Sequence, residues 1–379
     1  MRIACIATSR VPSRTANSIQ VMKVCQALVD RGHTIQLWLP GRTPEERAES
    51  LLHHYGLRSQ FPMRWLQALP RTRNYHFCLR AVLEARRWGA ELYYTWPLQA
   101  ATLASILGLP TMLEVHDRPT GRFGPALFRL FLHGRGARRI LPTTTMLRDW
   151  LSTTYQVELK EPFSVLSPNG VDLERYQALP SPQEARQRLG LEERFTAVYT
   201  GHLYAGRGID LILELARLNP GFHFVLAGGE TASVEHWRGR VQELDLVNVT
   251  FLGFVPNEQL PLIQAAGDVL LMPYEWHISV SGGGDTSETA SPMKVFEYLA
   301  AGRAILSSDL PVIRELLNDE NAVLLPPEST QAWNTALRRM STEPERGAQL
   351  ARRATQDAQA HSWAARAQRA LEGLEAVPR

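Results

Sequence analysis

The stretch that decides the fold is Ile3-Ala4-Cys5-Ile6-Ala7, then Ser18 to Arg31, then Thr34-Ile35-Gln36-Leu37-Trp38-Leu39. Between the two apolar runs, Ile19, Val21, Met22, Val24, Cys25 and Leu28 recur at helical spacing, and Gly32 suits the stop. Strand, helix, strand is the unit of a parallel sheet with helices on both faces. The alternation continues through strand candidates at Leu92–Thr95, Thr111–Val115, Arg139–Pro142 and Phe163–Leu166. It restarts at Thr196–Thr200, with further strands at Phe222–Ala227, Val247–Leu252, Asp268–Pro273, Ala304–Ser307 and Ala322–Leu325. The chain therefore reads as α/β with two doubly wound halves, joined near Leu179-Pro180-Ser181-Pro182. Two domains suit 379 residues. Glu345–Val377 reads as one long helical tail.

The most informative segment for chemistry is Ser291-Pro292-Met293-Lys294-Val295-Phe296-Glu297-Tyr298-Leu299-Ala300-Ala301-Gly302. Ser291 suits an N-cap, Pro292 the first helical position and Gly302 the stop. The amides of Met293, Lys294 and Val295, with the helix dipole, make an anion site. Glu297 follows one turn on, about 5–6 Å further along the same face. A carboxylate there suits two vicinal ribose hydroxyls, so the pair reads as a nucleotide-sugar site. A well-capped helix with Glu297 in water would read the same way. Gly201-His202-Leu203-Tyr204-Ala205-Gly206-Arg207-Gly208 joins a strand to a helix, where α/β sheets bind phosphates, and Arg207 offers a fork of donors. Leu113-Glu114-Val115-His116-Asp117 ends a strand of the first half, a site position, although a lone histidine there is as readily structural. Ser167-Pro168-Asn169-Gly170 is a turn signal. Asn17 or Ser18 suits the N-cap of the first helix.

Composition narrows the class. An apolar share of 44% and a charged share of 21% are those of a globular protein. Cys5, Cys25 and Cys78 lie in apolar segments without metal-ligand spacing, so buried thiols in a reducing compartment are expected. No secretory leader is read at Met1–Ala7, and no apolar stretch reaches the ~18–20 residues that span a bilayer. The net charge of +3 is uneven: residues 1–180 carry 23 Lys and Arg against 13 Asp and Glu, an excess of +10. That suits an anionic surface or acceptor. The excess is concentrated in Arg64, Arg71, Arg73, Arg80, Arg86 and Arg87, and in Arg122, Arg129, Arg135, Arg138 and Arg139, both among apolar residues. No nucleic-acid module appears, so nucleic acid is not an expected partner.

In this order the features resemble family 4 of the retaining glycosyltransferases, which have the GT-B fold. The resemblance rests on Asp30-Arg31-Gly32-His33-Thr34-Ile35, Val115-His116-Asp117, Pro168-Asn169-Gly170-Val171-Asp172, Gly201-His202-Leu203 with Arg207-Gly208, Phe251-Leu252-Gly253-Phe254-Val255-Pro256, Asp268 through Tyr274, and Ser291 through Gly302. It implies two Rossmann-like domains facing across a cleft. Residues 1–175 would bind the acceptor and residues 176–356 the nucleotide sugar. A C-terminal helix, about 357–379, would pack back on the first domain. It also implies roles. Glu297 would bind the donor ribose and the backbone of Val255 the base, while His116 would stand beside the transferred sugar. His202 and Arg207 fall where the family has an arginine and a lysine on the donor phosphates. The first of the family's two glutamates falls on Thr289, and Asp285 or Glu288 would replace it. The implied catalytic pair is His116 and Arg207. The donor set is Gly201, His202, Arg207, Val255, Thr289, Ser291, Pro292, Met293, Lys294 and Glu297, and Asn17 and Ser18 lie on the acceptor side. Neither metal nor cofactor is expected: there is no Asp-x-Asp triplet, and a donor phosphate oxygen would take the acceptor proton. The expected partners are a nucleotide-sugar donor, a hydroxyl acceptor and an anionic membrane surface, with a cytoplasmic location at the inner face of the membrane. An epimerase or phosphorylase on the same fold, or an inactive nucleotide-sugar sensor, are the alternatives.

Overall fold

The structure is a computed structural model that describes residues 1–13, 15–44, 48–69, 72, 74–277, 289 and 291–374. Asp285, Glu288, Arg71 and Arg73 lie outside the described residues. The chain divides into two compact units, Met1–Asn169 with the segment from Trp363 onward, and Gly170–Ser362.

The first unit holds six parallel strands: β1 Arg2–Ile6, β2 Thr34–Pro40, β3 Met63–Leu66, β4 Leu92–Thr95, β5 Thr111–Val115 and β6 Ala137–Pro142. Their order is β3-β2-β1-β4-β5-β6, all in parallel register. Central strands are buried almost end to end, as expected for a sheet covered on both faces. Three readings of the sequence need correction here. β3 was not foreseen, because it is an edge strand of sequence Met-Arg-Trp-Leu with only Leu66 buried, so no apolar run marks it. Phe163–Leu166 is not a strand: Ser164 makes one isolated bridge to Ile140 at the sheet edge. The helix Ala16–Asp30 starts after Thr15, so neither Asn17 nor Ser18 is its N-cap. Asn17 instead accepts from Ser9, and Ser18 donates to the carbonyls of Ser13 and Thr15, both at 2.9 Å.

The second unit repeats the plan with β7 Thr196–Thr200, β8 His223–Ala227, β9 Val249–Gly253, β10 Val269–Met272, β11 Ala304–Ser308 and β12 Val323–Leu325. Their order is β12-β11-β10-β7-β8-β9, again parallel throughout. Its core gathers Tyr199, Phe224, Leu271, Leu306, Trp333 and Leu337. In both sheets the strand order reverses beside the first strand, at β1/β4 and at β7/β10, and the crevice beyond such a switch point is where these folds bind ligands.

The tail is not one helix. It divides into Pro344–Ala358 and Trp363–Leu371, with a single turn at Gln359–His361 and extended backbone at Ser362. The His361 carbonyl accepts from the Val171 amide at 3.0 Å. The break has a packing cause. Leu350, Ala351, Ala354 and Ala358 are buried within the second unit, whereas Trp363, Arg366, Ala367, Ala370 and Leu371 are buried within the first. The last helix lies against Ala16–Asp30. Arg139, read from sequence as part of a basic surface, is buried and clamps this helix, donating to Ala370 O at 2.7 Å and Glu372 O at 2.8 Å. Cys5, Cys25 and Cys78 are buried and unbridged.

Candidate active site

In the second unit the candidate residues collect at the β7/β10 switch point. The 201–208 loop leaves β7 and the 273–275 segment leaves β10, and the Glu275 amide donates to Gly206 O at 3.1 Å. The loop passes so close that a Cβ on Gly208 would stand 1.8 Å from Pro273 O, and its φ is +69°. Only glycine fits there. Tyr298, on the helix Met293–Ala300, ties the two strands together. Its hydroxyl accepts from the Thr200 amide at 2.9 Å and donates to Leu271 O at 3.3 Å.

That helix starts one residue later than the sequence suggested. Pro292 has extended ψ of 123° and is the capping position, and Met293 is the first helical residue. The Val295 amide, expected to face an anion, donates to Pro292 O at 3.1 Å. The leading amides are those of Met293 and Lys294.

Lys294 brings more than its amide. Its side chain is buried, and among the described residues Nζ has no hydrogen-bond partner. The ammonium lies over the ring of Tyr199 at 3.6 Å and 5.1 Å from that of Tyr274. Arg207 shares this aromatic floor, its guanidinium 4.7 Å from the Tyr274 ring. A Cβ on Gly201 would meet Cε and Nζ of Lys294 at 3.0 Å, so the glycine leaves the space that the ammonium uses. Burial, with Arg207 adding to it, pushes the Lys294 ammonium well below the ordinary lysine range, and Glu297 only partly opposes this. Burial also opposes the charge of Arg207, yet Tyr274 and Tyr199 hold it in place. A buried ammonium beside a half-buried guanidinium calls for an anion.

Glu297 lies on the next turn of the helix and is half-buried. Burial raises its carboxyl above the usual range, while Arg175, Gln264 and Lys294 pull it down. Gln264 donates to it at 3.3 Å and accepts from Tyr176 at 3.0 Å. Arg175 is anchored on Asn257, donating to its side chain at 2.6 Å. His202 lies flat against Tyr204, with ring centroids 4.8 Å apart. Burial and then the cations Arg207 and Lys294 push its imidazole down, so it does not supply the positive charge that its position invites. Val255 and Ser291 are half-buried, and Thr289 is buried. Among the described residues no group of three or more His, Cys, Asp or Glu is arranged to hold a metal.

In the first unit His116 follows the end of β5. It is partly exposed, and its Nε2 stands 2.7 Å from the buried Glu114. Asn17 and Ser18 are at the start of the helix after β1. Sequence reasoning missed Tyr199, Gln264, Arg175, Glu114 and Arg366 as parts of these sites. Only Glu114 carried a local signal, as a carboxylate inside a strand that is otherwise apolar.

Similarity to known proteins agrees with the fold. The profile of Glycosyltransferase Family 4 matches residues 18–175, and that of Glycosyl transferases group 1 matches residues 181–357. A 2-deoxystreptamine glucosyltransferase of Streptomyces kanamyceticus is 26% identical over 281 residues, covering 61% of this chain and 72% of that protein. An alpha-D-kanosaminyltransferase of the same organism is 22% identical over 275 residues, covering 68% of this chain and 66% of its own length. The Anabaena protein HepE, crystallised in complex with UDP, superposes with a TM-score of 0.76 over 100% of both chains at 18% identity, a likeness of fold.

Proposed function

Since the chain belongs to glycosyltransferase family 4, with the GT-B fold, we propose that it moves a sugar from a nucleoside-diphosphate sugar to a hydroxyl acceptor with retention of configuration and without a metal ion. One observation carries the reading. The buried Lys294 and the half-buried Arg207 lie over Tyr199 and Tyr274, and the half-buried carboxylate Glu297 follows Lys294 one helical turn on. That is the order pyrophosphate, then ribose. In this reading the two cations and the leading amides of Met293 and Lys294 oppose the charge that develops on the leaving diphosphate. A donor phosphate oxygen takes the acceptor proton, and His116 contacts the transferred sugar.

The acceptor is assigned to the first unit. On the helix Tyr75–Trp88, Tyr75, Leu79 and Leu83 form an exposed stripe that runs on to Arg86 and Arg87. Phe123 and Leu130 are exposed beside Arg122 and Arg129. Apolar and basic residues in one face suit an anionic lipid surface. No described helix is long and apolar enough to cross a membrane.

Thermal shift with UDP, GDP and ADP, followed by turnover with the corresponding sugar nucleotides, tests the proposal. A melting point raised by at least one nucleotide, and sugar transfer with retained anomeric configuration, are expected. No shift with any nucleoside diphosphate would overturn it. Thr289 at the place of a family glutamate favours one second reading, a nucleotide-sugar binder without turnover. Binding without transfer from any donor would establish that instead.

A further inference from the structure

The side chain that faces His116 sits in a dense polar cluster of the first unit. Glu114 is 2% exposed and Arg366 is 1% exposed. Arg366 comes from the last helix, Trp363–Leu371, and reaches Glu114 Oε1 at 2.7 Å. It also donates to Pro168 O at 2.8 Å, Ser167 O at 3.2 Å and the Tyr94 hydroxyl at 3.1 Å. Tyr94 donates to Glu114 Oε2, and Gln20, itself held by Trp96 at 3.0 Å, donates to Oε1. With His116 the carboxylate has four donor partners, three on Oε1 and one on Oε2. Burial would raise the Glu114 carboxyl. Arg366 first, then His116 and Tyr94, outweigh that and hold it down at about 2.

A stable core does not call for this arrangement. A buried ion pair is weak evidence for stability, since well-packed apolar side chains often serve as well. What it provides is a fixed, ionised acceptor at one edge of the imidazole. An ionised carboxylate has no proton to give. In the neutral ring the hydrogen must therefore be on Nε2, leaving Nδ1 with its lone pair.

We propose that Glu114 and Arg366 are positioning residues for His116, so that the C-terminal helix, through Arg366, fixes the orientation and tautomer with which His116 meets its substrate. The sugar-transfer part of this rests on the function proposed above; the tautomer does not. Fixing a functional imidazole through its second nitrogen is a general device, because it sets both the proton and the ring plane.

The test has two arms. In the wild-type protein, long-range 1H–15N correlation at alkaline pH reads the tautomer of His116, assigned by loss of its signals in His116→Gln. The Nε2–H tautomer is expected, and the Nδ1–H tautomer overturns the proposal. In the second arm, Glu114→Gln strands the Arg366 charge and will destabilise the unit. The double variant Glu114→Gln with Arg366→Met removes both charges and is the fold-preserving comparison. With melting confirmed cooperative, kcat should fall about 10- to 100-fold, while the affinity for UDP, GDP or ADP in the second unit stays unchanged. Wild-type kcat in the folded double variant overturns the positioning role. If the wild-type protein transfers no sugar, the functional reading has failed, and the tautomer measurement still decides this proposal.

Discussion

Replacing Lys294 by Met separates the two things this side chain does, and the two effects should have opposite signs. The thioether keeps the length of the chain and its contact with the Tyr199 ring, worth about 0.3–1.5 kcal/mol. It removes an ammonium that is buried with no hydrogen-bond acceptor among the described residues. The lost attraction to the rings is about 2 kcal/mol, or more where water is excluded. The environment as a whole disfavours the charge, since burial and Arg207 push it well below the ordinary range. Lys294→Met should therefore melt no lower than wild type. Donor binding should move the other way. A charge-assisted hydrogen bond to phosphate is worth about 1.5–3 kcal/mol, which is roughly a 10- to 150-fold rise in Kd. Titration calorimetry with UDP, GDP and ADP reads this directly. Run in buffers of different ionisation enthalpy, it also counts protons. The diphosphate favours the ammonium that burial disfavours, so at pH above the lowered value of Lys294 wild-type binding should take up a proton, and affinity should weaken as pH rises through that value. The variant should show neither effect. A folded variant that melts several degrees lower and binds with wild-type affinity would make Lys294 a structural residue over Tyr199 and refute the reasoning.

Three further outcomes are expected. Glu297→Ala should weaken nucleoside-diphosphate binding about tenfold or more, by loss of a charged acceptor worth ~1.5–3 kcal/mol, and unchanged affinity in a folded variant would remove the ribose assignment. Turnover should survive excess EDTA, because Lys294, Arg207 and the helix amides oppose the phosphate charge; complete loss restored by Mg²⁺ or Mn²⁺ would place a metal in that role. Co-sedimentation with anionic vesicles should weaken with salt and should fall when Leu79 and Leu83 are changed together to Ser; equal absence of binding to anionic and neutral vesicles at low salt would leave an acceptor in solution as the better reading.

The sequence by itself determined what depends on local periodicity. Apolar runs and helical spacings gave both doubly wound halves, since buried parallel strands are continuous apolar stretches. Glu297, Arg207 and His116 could be placed at strand ends and on a helix start, because those positions follow from order along the chain. What failed was whatever a distant neighbour sets. β3 pairs as a strand only because β2 offers it an edge. The tail breaks at Ser362 because its two halves are buried in different cores. His202 could be read as a cation until the structure put it beside Arg207 and Lys294. The aromatic floor under Lys294 joins residues of β7, the segment after β10 and the helix at 293. The bond from Arg366 to Glu114 spans most of the chain. No local pattern encodes such pairs. They exist only once each unit has packed its helices on its own sheet and water has left that core, where a charge without a partner is most costly and a partner most decisive.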